Sequence, residues 1–189
     1  MLKDLIVKNR SYRRFFQDEQ INRQTLLELI DLARLSGSAK NLQPLKYIVS
    51  NVAELNAEIF QCLAWAGYLK DWPGPTEGER PSAYIIMLGD TSISKTFGSD
   101  QGIASQSILL GATEKGLGGC IIASAQKPKL REILRIPAEL EVLLVIALGR
   151  PRETVVLEEL PPSGDIYYWR DPQGTHHVPK RSLDEIIIG

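Results

Sequence analysis

Three apolar runs of strand length constrain what this chain can fold into more than any other feature of its sequence. Residues 82–88 (SAYIIML), 120–123 (CIIA) and 141–148 (EVLLVIAL) are almost uninterrupted in hydrophobic residues. Such a run is typical of a strand that is covered on both faces, since a strand with one solvated face alternates polar and apolar residues. The sequence therefore predicts buried strands at these three places.

Apolar residues at helical spacing predict helices between these strands. The clearest helix begins after Asn22, a suitable N-cap, carries apolar residues at positions 26, 29, 30 and 33, and stops at Gly37. A longer helix is predicted from about residue 100 to 115. Shorter helices are predicted over residues 2–8, 53–66 and 127–134, and a further strand over 47–50.

Length and charge limit the classes of protein to which this chain could belong. The chain has 189 residues, enough for one domain over 1–189, and its formal net charge is −1. A near-neutral balance argues against a dedicated nucleic-acid binder, and no window reaches the ~18 consecutive apolar residues of a membrane span. Cys62 and Cys120 have no metal-ligand spacing and are interpreted as reduced thiols. We expect a soluble, cytoplasmic protein with neither a nucleic-acid partner nor a membrane segment.

A compact basic run near the start is the first candidate site. Arg10, Ser11, Tyr12, Arg13 and Arg14 follow the first predicted helix. Guanidinium groups match phosphate oxygens in a bidentate way, and a serine hydroxyl adds a neutral donor. The alternative is a solvated basic turn at a helix C-terminus, where cations are favoured in any case.

Polar loop residues form the second candidate. Ser38, Ala39, Lys40, Asn41, Leu42, Gln43 and Pro44 lie directly before a predicted strand, and three of them carry amide or hydroxyl side chains. Such groups can read the edge of a heterocycle or the hydroxyls of a polyol. A plain polar connection between helix and strand is the alternative.

The remaining candidates are weaker. The backbone of Ile121, Ile122 and Ala123 suits contact with a flat ligand, whereas the preceding glycines are interpreted as a helix C-cap. Adjacent His176 and His177 point to opposite faces of a strand and cannot chelate one metal together. Lys180 and Arg181 are either phosphate contacts or ordinary surface cations.

Two segments of the chain, residues 67–81 and 150–189, lack the periodicity of helices or strands. Residues 67–81 hold three prolines and three glycines and predict a loop or lid, which contains Tyr68 and Trp72 and follows Trp65. Residues 150–189 show little periodicity. A tail of this length without its own core is unusual in a monomer, so we expect it to wrap around a second copy of the chain.

The absence of several catalytic motifs also bears on the chemistry that the protein could perform. The sequence has no nucleophile elbow, phosphate-binding loop or zinc-protease motif, and a serine or cysteine nucleophile would lack a nearby histidine base. An enzyme of this kind is expected to leave the chemistry to a cofactor, with no catalytic side chain of its own.

Taken in order along the chain, these segments resemble the FMN-dependent nitroreductases. The basic run resembles that family's R-S-x-R box, residues 38–44 its P-S-x-x-N-x-Q-P loop, 102–122 its central helix and G-L-G-x-C turn, and 180–185 its C-terminal motif. Asn9 stands where many members have arginine, and Lys40 where many have glycine.

The resemblance implies an α+β fold, a central mostly antiparallel sheet flanked by helices, in an intertwined homodimer with tightly bound FMN at the subunit interface. It implies ping-pong hydride transfer from NAD(P)H through flavin N5 to a small acceptor such as a nitroaromatic or quinone. Cofactor contacts would come from Arg10, Ser11, Tyr12, Arg13, Ile121, Ile122, Ala123, Lys180 and Arg181, and, from the partner chain, Ser38, Ala39, Asn41 and Gln43.

Under this resemblance Trp65, Tyr68 and Trp72 are interpreted as an apolar lid over the flavin, with packing at the dimer interface as the alternative. Two other functions stay open at this point. One is a flavin-binding protein for storage or redox sensing without turnover, and the other is a dimeric scaffold that binds no cofactor.

Overall fold

In the computed structural model, which describes residues 1–189, the apolar runs form the centre of a five-stranded sheet. The helices are α1 (Leu2–Lys8), α2 (Arg23–Arg34), α3 (Ala53–Phe60), α4 (Asp100–Glu114), α5 (Lys127–Ile133) and α6 (Leu183–Ile186). The strands are β1 (Phe15–Phe16), β2 (Leu45–Ser50), β3 (Ala83–Asp90), β4 (Gly118–Ile122), β5 (Leu140–Pro151), β6 (Val155–Glu159), β7 (Trp169–Arg170) and β8 (His176–Lys180).

The strand β5 organises the main sheet, whose order is β1-β5-β3-β2 with β4 also paired to β5. All of these pairs are antiparallel. One edge of β5 pairs with β3, and the other edge pairs first with β4 (residues 145–149) and then with β1 (150–151). The C-terminal half of β5 therefore places the segment after α1 beside the turn that enters β4.

Each face of this sheet is covered by its own core. Along β3, Ile85 and Met87 face a cluster that includes residues of α2 and α4, whereas Tyr84, Ile86 and Leu88 face residues of α3 and α5. Successive side chains of a strand point to opposite faces, so a strand with helices on both sides must be apolar at every position. The prediction of buried strands, and the α+β class with a flanked antiparallel sheet, are confirmed.

The helix predicted over residues 53–66 is too long, because α3 ends at Phe60. Beyond it, the Ala64 N–H donates to the Ser124 carbonyl (2.9 Å) and the Gln126 N–H to the Cys62 carbonyl (2.8 Å). Ala66 also has a positive φ of 41°, outside the right-handed helical region. Long-range backbone pairing thus replaces the last turns of the expected helix.

Residues 150–189 contain more regular structure than their sequence pattern indicates. They form a three-stranded sheet, hereafter the tail sheet, in which β8 pairs in parallel with β6 and antiparallel with β7. Side chains hold it together: His177 lies between Glu158 (3.1 Å) and Asp171 (3.3 Å) and stacks on Trp169 at a centroid distance of 4.0 Å. None of the six helices has the length and apolar character that crossing a bilayer requires.

Candidate functional site

A cleft of about 740 Å³ opens between the segment after α1, the helix α4, the strand β4 and the tail sheet. It brings together five residues predicted from sequence: Arg10, Ser11, Arg13, Ile121 and Lys180. The other residues that line it are Asn9, Gln106, Leu109, Tyr168, His176 and Val178. Residues from both the first fifteen and the last fifteen positions of the chain thus share one wall.

Backbone pairing with β4 positions the basic run. Ser11 forms a parallel bridge with Gly119, and the Tyr12 N–H donates to the Gly119 carbonyl at 3.0 Å. A Cβ at Gly119 would lie 2.6 Å from the Ala147 carbonyl oxygen, so this close approach requires glycine. Tyr12 itself does not line the cleft, since its hydroxyl donates to the Lys8 carbonyl at 3.1 Å.

Arg13 is buried and held on several sides. Its Nη1 donates to the Ser11 carbonyl (3.2 Å) and lies 3.2 Å from Nε2 of His176. Its guanidinium stands over the Tyr168 ring, 4.8 Å from the centroid. A guanidinium fixed in this way loses little further rotational freedom when it binds an anion.

The buried carboxylate of Glu153 holds the backbone of the basic run in place. The Glu153 side chain is only 1% exposed and accepts hydrogen bonds from the backbone N–H groups of Arg13 and Arg14 and from Nη2 of Arg170 (2.8 Å). One carboxylate therefore joins the basic run, the end of β5 and the strand β7.

His176 carries an imidazole that is neutral at physiological pH. Burial, together with the positive charges of Arg13 and Arg170, lowers its pKa to about 4. Because arginine can only donate, Nε2 of His176 must accept from Arg13, which assigns the ring proton to Nδ1. That Nδ1 is buried and has no hydrogen-bond partner in the chain.

The chemistry of the cleft suits a flat ligand with an anionic end. Nε of Arg10 is also buried without a partner, and burial lowers the pKa of Arg10. Buried polar groups normally find partners, so unpartnered donors on the wall of a cleft indicate a ligand that accepts from them. Lys180 adds a third cation, and Leu109 and the half-exposed Ile121 supply an apolar surface.

A second cavity of about 540 Å³ adjoins this cleft and shares Arg13, Ile121 and Tyr168 with it. Its wall includes Ile122, whose side chain is buried, and the exposed Ala123. Trp65 also lines it. The backbone of β4 that was predicted to face a flat ligand therefore lies beside the cleft.

The other two aromatic residues of the expected lid lie farther from these cavities. Tyr68 packs against Tyr167 and Tyr168, with centroid distances of 4.4 and 4.8 Å. Trp72 lies under the guanidinium of Arg170 at 4.6 Å and lines neither cavity. Of the three, Trp65 is the residue that borders the candidate site directly.

Within one chain, the polar loop 38–43 does not reach the cleft. Ser38 Oγ and the Ala39 N–H donate to the buried carboxylate of Asp100, at 2.6 and 2.9 Å. Nε2 of Gln43 donates to Oδ1 of Asn41 at 3.2 Å. Ser38 and Gln43 line a separate cavity of about 390 Å³, so contact with a ligand in the cleft would have to come from a second copy of the chain.

Arg181 also lies outside the cleft. Its Nη1 is 3.2 Å from Oε1 of Glu185, and it lines a groove beside β6 and α6 that Lys180 shares. Conversely, sequence reasoning missed Glu153 and Tyr168 and considered His176 only as a metal ligand. Neither Glu153, which lies beyond the predicted strand 141–148, nor Tyr168 had a signal in the sequence.

Comparison with known proteins agrees with this geometry. The profile of the Nitroreductase family matches residues 6–73 and 80–150. The chain belongs to this family. A relative from Archaeoglobus fulgidus, named as an NADH dehydrogenase/NAD(P)H nitroreductase, is 28% identical over 157 residues, which are 79% of this chain and 84% of the relative.

Solved structures show the same nitroreductase fold. An FMN-dependent nitroreductase from Clostridium difficile is 25% identical with a TM-score of 0.64, over 78% of this chain and 86% of its own. A nitroreductase family protein from Streptococcus pneumoniae, 21% identical, matches over 100% of both chains with a TM-score of 0.70. This likeness shows that the fold is shared over the whole chain.

The family match leaves out three segments of the chain. Residues 1–5, residues 74–79 within the predicted lid, and residues 151–189 fall outside the matched ranges. Tyr168, His176 and Lys180 lie in the last of these segments, which therefore adds at least these three residues to the wall of the cleft that the family profile does not cover.

Proposed function

We propose that this nitroreductase binds FMN in the cleft and uses NAD(P)H to reduce a small acceptor such as a nitroaromatic or a quinone. The observation that carries the proposal is the convergence of Arg10, Arg13 and Lys180 beside the apolar surface of Ile121. The names of the Archaeoglobus and Clostridium difficile relatives support it.

The donors of the cleft fit the cofactor. Arg10, Ser11 and Arg13 would hold the phosphate, the ribityl chain and the pyrimidine edge of FMN. Lys180 would add a phosphate contact, with Arg181 as a further cation on the groove that Lys180 shares. The exposed Ile121 and the backbone to Ala123 would lie along the ring system. The buried N–H groups of Arg10 and His176 that lack partners would find acceptors.

When bound, FMN would supply the two-electron chemistry between NAD(P)H and the acceptor, and the two substrates would use one pocket in turn. The residues of the chain bind, orient and exclude water. Arg13 holds a fixed positive charge at the cleft, which stabilises negative charge that develops on a bound group. Hydride transfer needs orientation and no histidine base, which agrees with a His176 that is held neutral.

The proposed active form is a homodimer. Ser38, Ala39, Asn41 and Gln43 lie on a loop away from the cleft of their own chain, and in the dimer they would complete the cleft of the partner. The tail, residues 150–189, would wrap around that partner. The loop 67–81 would act as a lid, with Trp65 nearest the site.

An absorption spectrum of the purified protein, before and after addition of NADH or NADPH, tests the proposal. We expect a flavin spectrum with one FMN per chain that bleaches with the nucleotide and recovers with quinone or a nitroaromatic. A yellow protein that does not bleach would instead indicate storage or redox sensing. A colourless protein that does not take up added FMN would leave a scaffold and contradict the proposal.

A further inference from the structure

Buried polar side-chain atoms without hydrogen-bond partners are concentrated in two places. Nε of Arg10, Nδ1 of His176 and Nε1 of Trp65 belong to residues that line the cleft and the cavity beside it. A second group consists of Nε of Arg80, Oγ of Ser82 and Oη of Tyr84. All three residues of this group line another cavity, hereafter the β3 cavity, which shares no residue with the cleft or its neighbour.

The β3 cavity has a volume of about 610 Å³ and lies where β3 begins, against α3 and residues 17–20. Its apolar wall is formed by Ala53, Ala57, Phe60 and Pro81. Tyr84 is fully buried and Ser82 is 6% exposed, so their hydroxyls are removed from bulk water. Leaving such a group without a partner destabilises the folded chain, and a bound molecule that accepts from the group would recover the lost free energy.

Two other polar side chains that line the β3 cavity, those of Asn56 and Gln17, are already engaged. The Asn56 side chain accepts from Ser50 Oγ at 2.7 Å and donates to the Ser82 carbonyl at 2.9 Å. The side-chain oxygen of Gln17 accepts from the backbone N–H groups of Gly78 and Arg80. The buried groups of this cavity that lack partners are one N–H and two hydroxyls, each of which can donate.

The charged side chains that line the β3 cavity are Arg80 and Glu77, and the guanidinium is the less exposed of the two. Nη1 of Arg80 pairs with Glu77 at 3.2 Å, but the Glu77 side chain is 79% exposed and that of Arg80 only 31%. Water therefore screens the carboxylate more than the guanidinium, which packs on the Phe60 ring at 4.4 Å. Burial raises the pKa of Tyr84, so its hydroxyl stays protonated and remains a donor.

We propose that the β3 cavity is a second binding site, distinct from the cofactor cleft, for a small organic carboxylate. The carboxylate oxygens would accept from Arg80 Nε, Ser82 Oγ and Tyr84 Oη. The carbon part of the ligand would lie against Ala57, Phe60 and Pro81. A carboxylate matches the site because it has four acceptor positions and no donor, and because its charge complements the half-buried Arg80.

Benzoate, acetate and neutral benzamide, titrated into the flavin-loaded protein at constant ionic strength, test this proposal. Binding is followed by calorimetry and by the melting temperature, with the flavin absorbance as a control for an intact cofactor site. We expect saturable binding of benzoate at one site per chain and no comparable response to benzamide. The variant Tyr84→Phe keeps the ring but removes one donor and should weaken benzoate binding about tenfold or more.

The same variant distinguishes a carboxylate site from a cavity that holds only ordered water. Without ligand, Tyr84→Phe should raise the melting temperature, because an unpartnered buried hydroxyl is removed. Loss of a well-bound water would instead lower it. Ser82→Ala provides a second test at a smaller side chain, and Ser105→Ala is its control, since the buried Ser105 hydroxyl already donates to the Gln101 carbonyl.

Three results would overturn the proposal: no saturable response to benzoate, equal responses to benzoate and benzamide, or benzoate binding that neither Tyr84→Phe nor Ser82→Ala weakens. The last result would place any benzoate in another site, such as the cofactor cleft, and a simultaneous change in flavin absorbance would identify it.

Discussion

Nη1 of Arg13 lies 3.2 Å from Nε2 of His176, although 163 positions separate the two residues. This contact joins the segment after α1 to the strand β8 of the tail sheet. It requires a neutral imidazole that accepts from the guanidinium, so the protonation state of one histidine controls how two distant parts of the chain meet at the cleft.

The pKa of about 4 for His176 predicts a loss of stability in mild acid. The unfolded chain binds a proton on this residue near pH 6.5, whereas the folded chain does so only near pH 4. The stabilising contribution is therefore complete above pH 6.5 and is lost as the pH falls to 4, by about 3 kcal/mol at most.

Urea unfolding of wild type and His176→Gln between pH 4 and 8 measures this effect, because glutamine accepts from Arg13 but does not titrate. The variant should lose less stability than wild type over that window. Parallel pH profiles of the two proteins would show that His176 does not carry the effect.

Removing the Glu153 carboxylate should destabilise the protein strongly. Glu153→Ala leaves two backbone N–H groups and the Arg170 guanidinium without their acceptor, at an expected cost of about 3–5 kcal/mol in the free energy of unfolding. Glu153→Gln retains one acceptor oxygen and should lose less.

Denaturant unfolding measures both Glu153 variants. The matched control is Glu159→Ala, an exposed glutamate of β6 that should change stability by less than about 0.5 kcal/mol. Similar values for residues 153 and 159 would contradict the anchoring role of the buried carboxylate.

Arg10 and Arg13 should determine whether the protein is yellow. Each charge-assisted hydrogen bond to a phosphate contributes about 1.5–3 kcal/mol, so Arg10→Ala with Arg13→Ala should weaken FMN binding at least about a hundredfold and give colourless protein. The control pair is Arg34→Ala with Arg150→Ala, two arginines in exposed ion pairs. Stoichiometric flavin in the Arg10/Arg13 variant would refute the phosphate assignment.

Lys40 adopts a backbone conformation that favours glycine, with φ = 52°. The left-handed conformation costs a residue with a Cβ about 1–2 kcal/mol. Lys40→Gly should therefore stabilise the protein by about 0.5–1 kcal/mol after the entropy of glycine is counted. Thermal unfolding measures the gain, and Lys40→Ala, which keeps the Cβ, should not show it.

The lid hypothesis predicts unequal roles for its two tryptophans. Trp65 lines the cavity beside Ile121, whereas Trp72 packs on Arg170. Trp65→Leu should increase the fluorescence of bound flavin, because a quenching ring is removed, and Trp72→Leu should have a smaller effect. Unchanged fluorescence in both variants would favour packing at the dimer interface.

Much of the main sheet follows from sequence, because its determinants are local. The unbroken apolar run over residues 83–88 of β3 indicates helices on both faces, and Asn22 caps α2 as expected, with its Oδ1 accepting from the Thr25 N–H at 2.8 Å. The tail sheet, by contrast, could not be predicted from the sequence. Its strands are short, and His177 makes its contacts with Glu158 and Asp171, an arrangement without periodicity.

In the candidate site, too, some residues could be predicted from the sequence and others could not. Arg10, Ser11 and Arg13 form a dense run with a recognisable chemistry, so their place on the cleft could be predicted. Glu153 and Tyr168 are single residues in unremarkable surroundings, and Tyr168 reaches the wall beside β7, which pairs with β8. Their role depends on packing between distant segments, which one sequence does not reveal.

Residues 10–13 and 176–180 lie on the same cleft, so the order of synthesis determines when that cleft becomes complete. A ribosome makes the two sides of the cleft at opposite times, and a nascent chain that has not emerged through residue 180 lacks one wall. Such a chain can build the helices around α2 and α4 but offers no complete phosphate pocket. Cofactor capture is therefore expected only after residue 180 has emerged, so FMN does not guide the folding of the segments made before it.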